Sequence, residues 1–176
     1  KIVHWKHINT FNFFVYGKTC FARGRGELIE PIEDCPELDI LIIEPNNIQV
    51  PSAKTKLINS NLNVADVKKH PSILQLREKI KLAEKNKLEI ETQNEKNCNP
   101  ENKQEILNEN KKEIAKECGN VFHYLTMPEY KKVFELIEKT KKMNGILNCI
   151  LAGSGPTIFA IAENKEIALK IKSEIQ

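Results

Sequence analysis

The stretch Cys149-Ile150-Leu151-Ala152-Gly153-Ser154-Gly155-Pro156-Thr157-Ile158-Phe159-Ala160-Ile161-Ala162 constrains the fold more than any other part of the chain. Two short apolar runs rich in Ile and Phe flank a loop of Gly, Ser, Gly and Pro. Runs of about five residues with turn residues between them predict two buried strands rather than helices. Gly153 and Gly155 lack a Cβ, so their backbones can take positive φ and let another group approach closely. A loop of this kind presents N–H groups that can face an anion. The same residues would equally make a tight β-turn without a ligand.

Upstream, Phe11 to Tyr16 and Thr19 to Ala22, then Leu28 to Ile32, are apolar and β-rich segments broken at Gly17 and at Gly24-Arg25-Gly26. This spacing predicts consecutive antiparallel strands. Arg23 and Arg25 beside two glycines have the chemistry to bind phosphate, although exposed turn arginines commonly bind nothing. The segment is not a P-loop, because Gly-x-x-x-x-Gly-Lys-Ser/Thr is absent. Asp39-Ile40-Leu41-Ile42-Ile43-Glu44 reads as a central strand buried on both faces. After it, Pro51 or Ser52 opens a short helix, Pro at its first turn or Ser as its N-cap.

From Arg77 to Cys118 the chain is dominated by Lys, Glu and Asn and has no aromatic residue. Ile73, Leu76, Ile80 and Ala83 fall at helical spacing, so an amphipathic helix is expected first. Beyond Lys85 the pattern decays into a solvated, disordered insertion of mixed charge, with a weak helix resuming around Glu105 to Lys116. Tyr130, Val133, Phe134 and Ile137 then recur at i, i+3, i+4 and i+7 of a helix that starts at Pro128 and ends at Gly145. Ile167, Leu169, Ile171 and Ile175 mark a closing helix. Strands followed by helix, hairpin and helix predict an α+β two-layer sandwich, a mostly antiparallel sheet with helices on one face.

Composition removes several classes of function. The net charge of +3 is too slight to argue for a nucleic-acid or anionic membrane partner. No apolar run approaches the ~20 residues needed to span a bilayer. Cys20, Cys35, Cys98, Cys118 and Cys149 are scattered without a Cys-x-x-Cys spacing, which favours free thiols in a reducing compartment. His4, His7, His70 and His123 share no metal-binding spacing, and Asp34, Asp39 and Asp66 lie in no motif of catalytic type. The chain begins at Lys1 and shows no signal peptide, so the N-terminus is expected to be internal to a larger product or processed.

Leu151 to Ala160, with Gly-Ser-Gly-Pro-Thr followed by Phe-Ala, resembles the third conserved motif of the GHMP small-molecule kinases. Phe14 to Glu27, a strand leading into Gly-Arg-Gly-Glu, resembles the branch of that family that acts in the non-mevalonate isoprenoid route. Val50-Pro51-Ser52-Ala53 is similar to that branch's segment after the central strand, and Asn120 to His123 to its helix entry. The resemblance implies strands 1–32 left from an N-terminal domain, then a C-terminal domain over 33–176 interrupted at about 77–117.

The implied reaction is phosphoryl transfer from ATP, with Mg²⁺, to the 2-hydroxyl of a cytidine diphosphate derivative of erythritol. Gly153, Ser154, Gly155, Pro156 and Thr157 would form the substrate- and phosphate-side loop, and no metal ligand is assigned. A side chain at Gly155 is expected to block the ligand while leaving the fold intact. The family's principal phosphate loop has no match in residues 1–176. Thr10 stands where the family carries its catalytic Asp, and a hydroxyl is not a usable base near neutral pH. Lys56 falls near an aromatic that stacks on cytosine in relatives. The implied partners are a small-molecule substrate and ATP, in bacterial cytoplasm or a plastid-like organelle, with the oligomeric state left open. The alternative is a divergent non-catalytic module that binds a nucleotide or a partner protein.

Overall fold

The computed structural model describes residues 15–24, 26–61, 72–92, 99–124 and 127–175. The chain divides into two compact units, residues 1–36 with 77–110 and residues 37–76 with 111–176.

In the first unit, β1 (Cys20–Arg23) and β2 (Leu28–Pro31) pair antiparallel, with Cys20 opposite Pro31 and Arg23 opposite Leu28. The turn between them is the one expected: Gly24 and Gly26 take φ of +68° and +92°, which an L-side chain would resist. Arg23 does not stand free for a phosphate. Its guanidinium lies 3.3 Å from Glu30, which also accepts a 2.7 Å hydrogen bond from Arg77. The Arg77 guanidinium in turn sits 5.8 Å from the Phe21 ring centre. The strand expected over Phe11–Tyr16 is not seen at its end, where Val15 and Tyr16 have helical backbone. The earlier part, like Arg25, lies outside the described residues.

The charged stretch departs from the expected disorder. It folds as two long helices, α2 (Ile73–Thr92) and α3 (Pro100–Glu117). Lys, Glu, Gln and Leu are good helix formers even where their pattern is not amphipathic. The start of α3 is also well made. Asn99 accepts from the Glu101 N–H at 3.2 Å through its side chain and from the Lys103 N–H at 3.3 Å through its carbonyl. Pro100 follows at the first helical position, where its missing N–H costs nothing.

The second unit is built on a three-stranded antiparallel sheet in the order β3 (Asp39–Ile43), β5 (Ile158–Ala162), β4 (Ile146–Leu151). Among the described strands β5 is therefore central, not β3 as the apolar run suggested. Ile40 is 50% exposed and Ile42 72% exposed, while Ile43 is buried. Unbroken apolar sequence reports low polarity, not two covered faces.

The helix α1 (Lys54–Asn61) and the helix α4 (Lys131–Lys141), which follows a short 3-10 turn at Pro128–Tyr130, supply Ile58, Val133 and Ile137 to the core. These pack with Ile43, Cys149, Leu151, Ile158 and Ala160 from the strands and with Met127 and Tyr130. Burying each such side chain contributes about 1.5–3 kcal/mol. The spacing Tyr130, Val133, Ile137 is thus a core stripe, as its period predicts. The last helix, α5 (Lys165–Ile175), buries Ile171. The α+β class expected from the sequence, antiparallel sheet with helices, is the class observed.

Candidate functional site

The apolar runs of the opening motif are β4 and β5, and the Gly-Ser-Gly-Pro segment is the hairpin loop between them. Its closure is set by two backbone bonds, Ala152 N–H to Thr157 O and Gly155 N–H to Ala152 O, each 2.9 Å. The second makes residues 152–155 a β-turn. Gly153 at its first central position has φ +53°, and Ser154 is not among the residues with positive φ. A positive φ at the first central position is one that favours Gly.

The two glycines have opposite surroundings. A Cβ added to Gly153 would meet no atom within 4 Å, whereas at Gly155 it would lie 2.6 Å from Leu151 Cδ1. The expectation that Gly155 faces a ligand is therefore replaced: Gly155 is buried against the core, and Gly153 is exposed. The Gly155–Pro156 peptide bond is cis.

Four loop carbonyls are held by side chains from elsewhere in the unit. Asn120 Nδ2 donates to both Leu151 O and Gly153 O at 2.8 Å. Tyr130 donates its hydroxyl to Ser154 O at 2.8 Å, and Lys54 donates its ammonium to Gly155 O. In addition Thr55 Oγ1 and Ser154 Oγ lie 3.2 Å apart. Burial, then the neighbouring Glu129 carboxylate, raises the Tyr130 pKa, so the phenol keeps the proton it donates. Asn120 is itself fixed, its Oδ1 accepting from Phe122 N–H at 3.0 Å.

Of the residues singled out by sequence, Gly153, Ser154, Gly155, Pro156 and Thr157 are brought together in this turn. Thr10, His4, His7, His70, Asp66 and Cys98 lie outside the described residues. Lys56 is exposed, and it is Lys54, two residues earlier, that reaches the loop. His123 is packed edge-on against Phe134 with ring centres 5.5 Å apart. Burial chiefly, with Lys141 beside it, holds its pKa below the ordinary value against the opposing pull of Glu138. Among the described residues no group of three His, Cys, Asp or Glu side chains is placed to hold a metal ion. No described helix is long and apolar enough to cross a membrane.

Residues 101–176 match the family described as GHMP kinases C terminal. The family resemblance read from the motifs is borne out. Among individual proteins, the chain is 30% identical over 148 residues to the 4-diphosphocytidyl-2-C-methyl-D-erythritol kinase of Lachnospira eligens, covering 84% of this chain and 41% of that protein. It is 26% identical over 150 residues to the kinase of the same name from Lachnoclostridium phytofermentans, covering 85% of this chain and 41% of the relative. A third of that name, from Clostridioides difficile, is 26% identical over 164 residues, or 93% and 45% of the two chains. The chain thus spans less than half the length of these curated relatives. No solved structure matches it.

Lys54, Asn120 and Tyr130 escaped the sequence reading as site residues. Of the three, only Asn120 lies in a segment that resembles the family, Asn120–His123. Lys54 follows directly on Val50–Ala53, and Tyr130 reads as a member of the core stripe.

Proposed function

We propose that this chain supplies the C-terminal part of an ATP-dependent 4-diphosphocytidyl-2-C-methyl-D-erythritol kinase, working together with an upstream half that carries the phosphate cradle. The observation that carries this reading is the Leu151–Thr157 loop. It is a family motif whose carbonyls are tied to the protein by Asn120, Tyr130 and Lys54, leaving Gly153 exposed at its tip. Engaged carbonyls and an open glycine suit a loop that offers backbone N–H to a charged ligand. Phosphoryl transfer requires chiefly positioning and charge stabilisation, to which such a loop contributes one wall. ATP is the expected phosphoryl donor, and Mg²⁺ would offset its charge when bound. The described residues hold no ligand set for the ion, so no step is assigned to it here.

A chimera tests the reading. Residues 1–176 are joined to the N-terminal half of the Lachnospira eligens kinase, and ADP release is followed with 4-diphosphocytidyl-2-C-methyl-D-erythritol and Mg-ATP. Turnover by the chimera, with none from the 176-residue chain alone, is the expected result. A folded chimera no faster than the donor half alone would overturn it. Thr10 at the position of the family Asp favours the second reading, a module that keeps the fold without catalysis. A Thr10→Asp chimera separates the two: turnover appearing only with Asp shows an intact site that lacks its base.

A further inference from the structure

We propose that Asn120, Tyr130 and Lys54 are positioning residues that fix the loop's peptide planes: Asn120 turns the Ser154 N–H away from the protein, Tyr130 holds the plane that carries the Gly155 N–H, and Lys54 holds the Gly155 carbonyl. The proposal rests on the reading above that this loop meets a charged ligand. The argument begins with peptide geometry. In a trans peptide the C=O of one residue and the N–H of the next point in opposite directions. Asn120 draws the Gly153 carbonyl inward, and the Ser154 N–H is thereby turned outward. The Ala152 carbonyl accepts from Gly155 N–H across the turn, which leaves the Gly153 N–H on the opposite side. Neither of these two N–H groups has a hydrogen-bond acceptor among the described residues. Unpaired N–H groups at an exposed turn are free to donate to an anion.

The tethers come from three separate places in the unit: Lys54 begins α1, Asn120 precedes the 3-10 turn at Val121–Tyr124, and Tyr130 ends the turn before α4. Each reaches a different loop carbonyl, Asn120 reaching two. A loop needing only to reverse the chain would be complete with its two internal backbone bonds. The side-chain donors add definition of the peptide planes, which a ligand site needs and a plain hairpin does not. Tyr130 is suited to this because it is 1% exposed, its ring locked in the core, while its hydroxyl donates to a loop carbonyl.

Two measurements with Tyr130→Phe decide the matter, since that change removes the hydroxyl and keeps the ring. In the 176-residue chain, exchange of the Gly155 amide with solvent should quicken about three- to tenfold, the factor of one net hydrogen bond. Amides in β5 should keep their rates. In the active chimera the same variant should raise KM for the cytidyl substrate by about three- to tenfold, with kcat within twofold. A structural weakening would instead lower the active fraction, and so kcat. Asn120→Ala, which frees two carbonyls, should raise KM further than Tyr130→Phe. Gly155 exchange within twofold of wild type overturns the clamp, as does an unchanged KM. A wild-type chimera without activity strikes the kinase reading alone, and amide exchange then decides the clamp by itself.

Discussion

Replacing each of the two loop glycines by alanine separates backbone strain from steric collision. Both residues have positive φ, +53° at Gly153 and +65° at Gly155, which costs an L-residue about 1–2 kcal/mol. Alanine also stiffens the unfolded chain, offsetting about 0.4–1 kcal/mol of that. Gly153→Ala should therefore lose only about 0.5–1 kcal/mol, because its Cβ enters open space. Gly155→Ala carries the same backbone cost and adds a collision, at 2.6 Å from Leu151 Cδ1 and 3.5 Å from Tyr130 Cε1. Leu151 and Tyr130 are both 1% exposed, so neither can swing out to solvent. Overpacking of this kind costs about 1–3 kcal/mol. Urea unfolding of the two variants and the parent chain measures the difference, expected to be about 1–3 kcal/mol in favour of Gly153→Ala. Values agreeing within about 0.5 kcal/mol, the scatter of such comparisons, would refute the reasoning and show that Leu151 repacks freely.

Asn148 Nδ2 donates to Ala115 O at 2.7 Å and Cys118 O at 2.9 Å, satisfying carbonyls at the end of α3. Asn148→Ala should therefore cost about 1–3 kcal/mol in the same unfolding assay, and a loss within error of zero would show that water replaces the amide. The Cys149 thiol is fully buried and its pKa is pushed up to about 11, chiefly by burial. Because the folded pKa exceeds the unfolded one, stability is complete below about pH 8.5 and falls by about 1.4 kcal/mol per pH unit above it until the folded value is reached. The stability–pH slope of Cys149→Ala over that window should be shallower than that of the parent, and equal slopes would refute the assignment.

The parts of the fold legible in the sequence were those written locally. The β1–β2 hairpin is announced by its glycines, and the stripe Tyr130, Val133, Ile137 by its period. The misreadings share a physical cause. Ile40 and Ile42 look buried in sequence, but apolar character does not say whether a neighbouring element covers a face, and here those side chains stand exposed. The stretch after Lys85 looks unfolded because its apolar residues are sparse. Its helices rest on intrinsic propensity, on the Asn99–Pro100 start and, in α3, on the burial of Ile114 and Ala115, too few residues to show as an amphipathic pattern.

For the site, the loop's residues are legible and their holders are not, and the reason lies in which atoms are used. Gly153 and Gly155 are recognised because a backbone conformation demands glycine. Asn120, Tyr130 and Lys54 act on main-chain carbonyls, and every residue type carries one, so the loop's sequence holds no imprint of what binds it. Nor do the three share a spacing: residues 54, 120 and 130 are brought together only by the packing of α1 and the 3-10 turns around the β4–β5 end of the sheet. Even the apparent equivalence of the two glycines is a product of reading one dimension. In the folded turn the glycine whose missing Cβ leaves a surface open is Gly153, while the missing Cβ of Gly155 makes room for Leu151. A motif therefore locates such a site, and the burial of each member assigns it to the ligand or to the core.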